Sequence, residues 1–411
     1  MKIFALNTFC GTGSTGRIAV ELAAYAASQG AETIIGFGAG SVPPEAEVYA
    51  MRLGSRWERK WHGALRKLLD GEGYGSRRAT RQLIGFLQTY QPDVIHLHNL
   101  HGCYLNLRLL FRYLQQAGIP VIWTLHDCWA FTGHCAYYSM ASCGRWQQGC
   151  GHCPQRHAYP ASLLVDQSAR NWKEKRDAIR ALPNLTLVTP SLWLGQEAQR
   201  SFLRRYPIRV IPNGIDLATF RPSDEPGLME NVVRRYGLWE LGERKMLLSV
   251  ASTWEPRKGL ADLIALSECL REDLQLVVLG LSKRQLADLP PKLLGIPRTQ
   301  SIRELRALYT VASLCISASH EETQGMTLLE ALACGTQVLC YAATALPETV
   351  TPDVGEVVPE GDIRALAEAC ARLCDHPRAP EACHARALAY DRRVCSAQYV
   401  GLYEEVLGGK Y

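Results

Sequence analysis

The sequence predicts an α/β protein with two doubly wound domains that face each other across a cleft. Three observations lead to this prediction: a length of 411 residues, an alternation of short apolar segments with longer helical patterns, and a restart of that alternation near the middle of the chain. One hydrophobic core seldom serves so long a chain. Uninterrupted apolar strands separated by helices are typical of parallel sheets that are covered on both faces.

The predicted strands are short segments rich in Ile, Val and Leu. In the first half they are Ile3–Leu6, Thr33–Phe37, Val94–Leu97, Val121–Leu125 and Leu185–Thr189. In the second half they are Val210–Ile211, Met246–Val250, Gln275–Leu279, Leu314–Ser317 and Val338–Cys340. We therefore expect one domain over residues 1–200 with a cysteine-rich insert over 128–160, and a second over 201–390. The segment 391–411 has a helical pattern and is compatible with either domain, including a return to the first.

Composition excludes several classes of protein. A net charge of +5 is too small to indicate nucleic-acid binding. No apolar segment has the length of a membrane-spanning helix, and the N-terminal segment resembles a first strand rather than a signal peptide. We therefore expect a cytoplasmic protein. In that compartment the 15 cysteines are more often core residues or metal ligands than disulfides.

A glycine-rich loop follows the first strand. The segment from Gly11 to Gly16 has the pattern G-x-G-x-x-G and leads into a helix. Such loops bring backbone N–H groups close to a phosphate or a sugar hydroxyl, and we assign that contact to Gly13, Ser14, Thr15 and Gly16. A nicotinamide cofactor would also need an acid at the end of the second strand, where the sequence has Gly36-Phe37-Gly38. A tight turn without a ligand is the other interpretation.

Two glutamates eight residues apart follow the strand Leu314–Ser317. Glu322 falls in a loop, whereas Glu330 falls inside a helix on a face rich in Leu and Ala. A carboxylate on such a face needs hydrogen-bond donors, and sugar or ribose hydroxyls are suitable donors. Backbone N–H groups at the start of the helix are available to a phosphate, and they belong to Gly325, Met326 and Thr327. Alternatively, Glu322 caps the helix and Glu330 forms a structural ion pair.

Cations and histidines occupy equivalent positions after other strands. Arg257 and Lys258 come after the strand Met246–Val250, and they suit a diphosphate, although a solvated charged turn has the same pattern. In the first domain the strand ends are followed by polar residues that we place at the cleft: His98, Asn99, His126 and Asp127. Ligands of such sheets bind beyond the carboxyl ends of the strands.

Together these motifs resemble the retaining nucleotide-sugar glycosyltransferases called family 4, or group 1, of the GT-B fold. The resemblance is carried by Glu322-x7-Glu330, Lys258-Gly259, Asn213-Gly214-Ile215-Asp216 and His126-Asp127. It implies that Glu322 contacts the donor sugar, Glu330 the ribose hydroxyls and Lys258 the diphosphate, while His126 orients the sugar. The chain departs from the family pattern at Thr323-Gln324, where Gly-Phe is usual, and at Thr253, where Arg is usual; Arg257 is the replacement cation that we suggest.

The resemblance implies a reaction and its partners. The segment Trp123–Cys135 is similar to a bacterial subgroup of the colanic acid type, which builds capsule or exopolysaccharide. The expected enzyme moves a hexose from a UDP- or GDP-sugar to a saccharide acceptor, lipid-linked, without a catalytic cofactor and without nucleic acid. The alternatives are another GT-B enzyme, such as a nucleotide-sugar epimerase or a phosphorylase, and a non-catalytic sugar-binding scaffold with a zinc knuckle.

Two further features stand outside these motifs. Four cysteines with the spacing C-x7-C-x6-C-x2-C suggest either a structural zinc site or free thiols, and they are Cys135, Cys143, Cys150 and Cys153. The basic segment 56–69 carries apolar residues at helical spacing: Trp57, Trp61, Leu65, Leu68 and Leu69. Such a helix either lies on the inner face of an anionic membrane or packs on its own sheet.

Overall fold

The structure is a computed structural model that describes residues 1–408. It contains two compact units. Unit 1 comprises Met1–Pro212 together with the chain from Cys395 onward, and unit 2 comprises Asn213–Val394. The boundary that we placed after residue 200 therefore falls after Pro212. The last helix begins in unit 2 and ends in unit 1, and residues 409–411 of the predicted helix lie outside the described residues.

Unit 1 is a parallel sheet of seven strands in the order β3-β2-β1-β4-β5-β6-β7. The strands are β1 Lys2–Phe9, β2 Glu32–Ala39, β3 Ala50–Arg52, β4 Val94–Leu97, β5 Val121–Thr124, β6 Leu185–Thr189 and β7 Ile208–Val210. The helices are α1 Gly13–Ser28, α2 Arg56–Leu69, α3 Arg77–Tyr90, α4 Leu107–Ala117, α5 Ser168–Arg180 and α6 Leu192–Arg200.

Unit 2 is a parallel sheet of six strands in the order β10-β9-β8-β11-β12-β13. The strands are β8 Lys245–Val250, β9 Leu274–Leu279, β10 Leu293–Ile296, β11 Leu314–Ser317, β12 Val338–Tyr341 and β13 Gly355–Val358. The helices are α7 Pro226–Arg235, α8 Leu260–Cys269, α9 Lys283–Ala287, α10 Ile302–Val311, α11 Met326–Ala333, α12 Ile363–Asp375, α13 Pro380–Leu388 and α14 Arg392–Val406, of which α14 continues into unit 1. Two doubly wound parallel sheets are the fold class that the sequence predicts.

The end of α14 completes the core of unit 1. Tyr399, Leu402 and Tyr403 are buried in one apolar cluster with Ile3 and Val94. The Tyr403 hydroxyl also has a polar partner, since it lies 2.7 Å from Nδ1 of His96 on β4. The tail of the chain is therefore a structural part of unit 1. In residues 1–408 no helix combines the length and the apolar character that crossing a bilayer requires.

Edge strands account for most differences from the sequence prediction. The segment around Val210 was predicted to open the second domain, but β7 pairs with β6 at the edge of the first sheet. Three strands were not predicted, namely β3, β10 and β13, and each of them is the last strand at an edge. A strand with only one neighbour is short and less completely buried, so its apolar pattern is weak.

A close backbone contact joins two strand ends in unit 2. Gly259 precedes α8 with φ +73°, and a Cβ atom on it would lie 1.9 Å from the carbonyl oxygen of Ala318, just after β11. Only glycine tolerates both this φ and this distance. The loop after β8 and the loop after β11 are thereby held against each other.

Replacing Gly259 tests this contact. We expect Gly259→Ala to lower the free energy of unfolding by roughly 3–5 kcal/mol, because the Ala318 backbone must move. Gly361→Ala is the matched control, since Gly361 has φ +75° but no atom within 4 Å of the added Cβ, and it should cost only about 1–2 kcal/mol. Urea unfolding of both variants checks this, and equal losses would contradict it.

Candidate active site

In unit 2 the predicted donor residues meet at the point where the strand order reverses. The strands β8 and β11 are neighbours in the sheet although two strands separate them in sequence. Their carboxyl ends leave a crevice between outgoing loops, which is the usual ligand site of open α/β sheets. Lys258 follows β8 and Glu322 follows β11, so the topology places the two predicted residues at one edge.

Lys258 and Glu322 form an ion pair. Nζ of Lys258 contacts Oε1 of Glu322, and Nη1 of Arg257 lies 3.9 Å from Oε2 of the same carboxylate. Both partners of the ion pair are largely shielded from solvent. Burial alone would raise the pKa of Glu322, but Lys258 and Arg257 outweigh it, and the pKa lies below its ordinary value. The carboxylate is thus charged at neutral pH, and it lies against two cations, one of which, Arg257, also pairs with Glu255 at 3.0 Å.

The loop that carries Glu322 is fixed by its backbone. The Thr344 hydroxyl accepts from the N–H of Glu322 and donates to its carbonyl, both at 2.8 Å. Arg257 donates to the carbonyl of Glu321 at 3.0 Å, and the N–H of His320 donates to the carbonyl of Arg257 at 2.8 Å. Loops after β8, β11 and β12 therefore converge on one carboxylate. Thr344 was not predicted, and it lies in a turn with φ +48°.

Glu330 lies in α11 and is half-buried. Its Oε2 accepts a hydrogen bond of 2.8 Å from the Tyr309 hydroxyl of α10. The prediction that this carboxylate lies within a helix is confirmed, but the tyrosine that donates to it was not predicted. Gly325 caps the helix with φ +84°, and Met326 and Thr327 form its first turn, where backbone N–H groups lack helical partners.

Gln324 is one of the two residues at which the chain departs from the family pattern, and it has a structural role. Its side chain is buried and binds the backbone of Asn213 twice: Oε1 accepts from the Asn213 N–H at 2.8 Å, and Nε2 donates to the Asn213 carbonyl at 3.0 Å. Asn213 is the first residue of unit 2. The departure from Gly-Phe at 323–324 therefore ties the Glu322 loop to the start of its own unit.

In unit 1 the glycine loop is closed on itself. The N–H of Gly11 donates to the carbonyl of Gly16 at 3.0 Å, and α1 begins at Gly13, so residues 13–16 form its first turn. A Cβ on Gly16 would lie 3.0 Å from that of Phe9 and 3.2 Å from its backbone carbon. The amide of buried Asn7 donates to the Phe9 carbonyl at 2.9 Å and accepts from the N–H of Asn99 at 3.2 Å. Asn7 was not predicted, yet it connects the loops after β1 and β4.

The predicted histidines after β4 and β5 are in contact. Nδ1 of His98 and Nε2 of His126 are 3.0 Å apart and share a hydrogen bond. Both side chains are buried. Burial lowers the pKa of His126 to about 4, and it lowers the pKa of His98 well below its ordinary value. Both imidazoles are therefore neutral at neutral pH, and they can orient a hydroxyl without adding charge.

Asp127 pairs with a histidine that was not predicted. Nε2 of His101 lies 2.8 Å from Oδ2 of Asp127, and Nδ1 of His101 lies 2.9 Å from the Tyr159 hydroxyl. Burial opposes both charges, but each partner favours the other: the pKa of His101 is raised and that of Asp127 is lowered. The chain thus places a mutually stabilised histidine–carboxylate pair directly beside the neutral pair of His98 and His126.

The cysteine-rich insert brings some of its thiols together. Cys135 and Cys153 are hydrogen-bonded through their side chains, and the N–H of Gly133 lies 3.1 Å from Sγ of Cys150. Within residues 1–408, however, the three possible metal ligands that lie close together are not these cysteines. They are His62, Glu72 and Cys103, whose ligand atoms all lie within 4.8 Å of one another. His62 is bound to the Ser76 hydroxyl and the Gly71 carbonyl, and Glu72 accepts from both the N–H and the thiol of Cys103. The zinc site at the four cysteines therefore stays a prediction.

Buried neutral histidines make stability depend on pH. Burial lowers the pKa of His96 from 6.5 to about 3, so between these values the unfolded chain takes up a proton that the folded chain excludes. The contribution is present above pH 6.5 and is lost as the pH falls through this window, by up to about 1.4 kcal/mol per pH unit. We expect His96→Gln, which retains hydrogen-bonding groups for Tyr403 and Thr124, to flatten the decline in unfolding free energy measured in urea. Exposed His157→Gln should leave the decline unchanged, and equal slopes for both variants would refute the assignment.

Known proteins match both units. The family described as Glycosyltransferase Family 4 matches residues 15–219, and the family described as Glycosyl transferases group 1 matches residues 244–376. A protein of Escherichia coli K12 described as a colanic acid biosynthesis glycosyl transferase is 29% identical over 231 residues, which are 53% of this chain and 56% of that protein. The alpha-monoglucosyldiacylglycerol synthase of Streptococcus pneumoniae is 34% identical over 160 residues, 35% of this chain and 36% of the synthase. The chain therefore spans about half or less of the length of these relatives.

Solved structures share the fold over the whole chain. Sucrose-phosphate synthase of Thermosynechococcus elongatus superposes with a TM-score of 0.70 at 17% identity and covers 100% of both chains. Anabaena HepE, solved in complex with UDP and glucose, gives 0.67 at 15% identity and covers 98% of this chain and 100% of its own. One glycosyltransferase family thus matches the first unit, a second matches the second unit, and each unit contains a doubly wound sheet. The chain is therefore a glycosyltransferase of family 4, group 1, with the GT-B fold.

Proposed function

We propose that this glycosyltransferase moves a hexose from a UDP- or GDP-sugar to a lipid-linked saccharide acceptor, with retention, in the synthesis of bacterial exopolysaccharide, capsule or lipopolysaccharide. The observation that carries the proposal is the Lys258–Glu322 pair beside Arg257 and the start of α11. It combines cations for a diphosphate with a carboxylate for sugar hydroxyls. The names of relatives supply the chemical class, including one from colanic acid biosynthesis.

The donor would be held by unit 2. Lys258 and Arg257 neutralise the diphosphate, and the N–H groups of Gly325, Met326 and Thr327 add a helix N-terminus, which is worth about 0.3–1 kcal/mol towards an anion. In the structure Lys258 and Arg257 lie against Glu322. A diphosphate therefore competes for their charge and frees the carboxylate for the sugar. Glu330 accepts from ribose hydroxyls, and the Tyr309 hydroxyl holds its Oε2 in place.

Unit 1 would orient the acceptor and also contact the donor. His126 is neutral and buried beside His98, so it can hydrogen-bond a hydroxyl of the donor sugar at no electrostatic cost. Asn99 follows β4 and Asp127 follows β5 on the acceptor side, whereas the first turn of α1 from Gly13 to Gly16 offers N–H groups to the donor. In support of a lipid-linked acceptor, two relatives carry lipids in their names: an alpha-monoglucosyldiacylglycerol synthase and a phosphatidyl-myo-inositol mannosyltransferase.

The reaction would pass through an oxocarbenium-like sugar, as glycoside hydrolysis does. The bond between the anomeric carbon and the diphosphate breaks, and Lys258 and Arg257 stabilise the charge on the leaving group. The acceptor oxygen attacks the same face and gives its proton to the departing phosphate. The protein's contribution is therefore position and charge, without a catalytic cofactor.

Turnover with a panel of UDP- and GDP-sugars and a lipid-linked saccharide tests the proposal. We expect Lys258→Ala and Glu322→Gln each to lower kcat/KM about 10²–10³-fold, because each removes a group that acts on the developing charge. We expect Glu330→Gln to raise the Kd for the nucleotide about tenfold with little loss of stability, because glutamine still accepts from Tyr309. Nucleotide binding is measured by calorimetry.

Two controls separate catalysis from structure. Lys292 forms an exposed ion pair with Glu268. It directly precedes β10, at the amino end of that strand and so away from the carboxyl ends that carry the site. Lys292→Ala should therefore retain full turnover. The double variant Lys258→Gln/Glu322→Gln removes both charges together. If Lys258 and Glu322 were only a structural pair, that variant would recover turnover. Such recovery, or the absence of donor binding and turnover in the wild type, would refute the proposal.

We also propose a structural zinc ion at the cysteine cluster. Its support is the contact between the thiols of Cys135 and Cys153, the N–H directed at Cys150, and the Cys-x2-Cys step. Zinc would draw these and Cys143 into one tetrahedral set. We expect equimolar zinc by elemental analysis, lost on Cys150→Ser and retained on Cys269→Ser, which changes an exposed cysteine of unit 2. A wild-type protein without zinc would reject the site.

A further inference from the structure

The helix α2 presents tryptophans to solvent. Trp57 and Trp61 are 73% and 76% exposed, and Leu68 follows on the same stripe at helical spacing. The opposite face is fixed to the protein, since His62 is buried and binds Ser76 and the backbone of Gly75. The sequence left open whether the apolar residues of this helix pack on its own sheet. The structure shows that the two tryptophans do not.

A second apolar element lies beside the end of α2. The N–H of Leu163 donates to the carbonyl of Lys67 at 2.7 Å, which fixes the loop 161–165 against the helix. The Ser162 hydroxyl donates to the Val165 carbonyl at 2.6 Å and closes the turn. At its tip Leu163 and Leu164 are 56% and 66% exposed. We call the two elements together the apolar patch: Trp57, Trp61, Leu68, Leu163 and Leu164.

Exposed cations flank the apolar patch along one side of α2. They are Arg56, Lys60 and Lys67, and Nζ of Lys60 lies 4.9 Å from the ring centroid of Trp57. Two other basic residues of the helix turn towards the protein instead: Arg59 donates to the carbonyl of Gly38, and Arg66 is half-buried. The charge that can meet an outside surface is therefore carried by three residues.

The apolar patch is close in sequence and in space to the acceptor-side residues. Tyr159, whose hydroxyl binds His101 of the His101–Asp127 pair, precedes Leu163 by four residues. Four residues of extended chain span at most about 14 Å. The same loop thus carries one residue of the polar network beside His126 and the exposed leucines. A lipid anchored under the apolar patch would present its headgroup within reach of these histidines.

We propose that the apolar patch and its three flanking cations dock unit 1 on an anionic phospholipid bilayer, from which the acceptor is taken. Tryptophan and leucine beside a row of Lys and Arg match the interface of such a bilayer, with apolar side chains at the acyl boundary and cations at the phosphates. An acidic protein partner would account for the cations but not for five exposed apolar side chains on two separate elements. The proposal deepens the proposed function by naming the source of the acceptor.

Vesicle co-sedimentation of the full chain tests the proposal. We expect binding to phosphatidylcholine vesicles that contain phosphatidylglycerol and much weaker binding to phosphatidylcholine alone. Trp57→Ser/Trp61→Ser and Leu163→Ser/Leu164→Ser should each weaken binding at least about tenfold. Neutralising Arg56, Lys60 and Lys67 to glutamine should weaken it roughly hundredfold on the anionic vesicles.

The matched controls lie on exposed positions elsewhere. Trp239→Ser removes a tryptophan that is 65% exposed in unit 2, and Lys283→Gln/Arg284→Gln removes exposed cations of α9; both should bind vesicles as the wild type does. Thermal unfolding of each variant identifies any loss of folding. Failure of the wild type to bind anionic vesicles, or equal binding by all variants, would overturn the proposal. So would a dimer in light scattering that Trp57→Ser/Trp61→Ser dissociates, because the patch would then be a protein interface.

Turnover separates this proposal from the proposed function. With a water-soluble saccharide acceptor the apolar-patch variants should retain wild-type kcat/KM, whereas with the acceptor in anionic vesicles they should lose about tenfold or more. Vesicle binding without any nucleotide-sugar turnover would refute the transferase proposal and leave the docking surface intact. Turnover that is equally reduced with both acceptors would refute the docking role alone.

Discussion

The charge arrangement in unit 2 depends on how closely the loop after β8 approaches the end of β11. Because Gly259 has no side chain, the loop can lie against the Ala318 carbonyl. This contact holds Lys258 and Arg257 close to the Glu322 carboxylate. A buried carboxylate without cations would cost several kcal/mol. By holding the two loops together, Gly259 keeps the cations beside Glu322, and these cations keep the pKa of that carboxylate below its ordinary value.

Unit 1 solves the same problem of buried polarity in another way. Its histidines His98 and His126 lie neutral side by side, while Asp127 is paired with His101, whose pKa is raised. The polar groups at this strand edge are therefore bound mainly to one another. The edge of unit 2 instead places two cations, Lys258 and Arg257, against the carboxylates of Glu322 and Glu255. In the proposed function the cations of unit 2 hold the diphosphate, and the hydrogen-bonding groups of unit 1 hold saccharide hydroxyls.

Strand ends were predictable from sequence because apolar segments followed by polar residues are local patterns. This is why Lys258, Glu322 and His126 could be named in advance, together with two doubly wound sheets. Edge strands were not predicted, since β3 and β13 have only one neighbour and a weak apolar pattern. Tyr309, His101 and Tyr159 were not predicted either, because they reach their hydrogen-bond partners only through tertiary packing. Gln324 was recognised as a departure, but its bonds to Asn213 span 111 residues of sequence.

The order of the units along the chain has a consequence for biosynthesis. Unit 2 is one continuous segment, whereas unit 1 needs α14, whose Tyr403 binds His96 across 307 residues. During synthesis, at about 5–20 residues per second, the whole of unit 2 is translated before α14 is available. Until then the face of the first sheet that α14 covers stays exposed. The later segment can therefore complete its core before the earlier one, and nascent unit 1 is the part that most needs protection by chaperones.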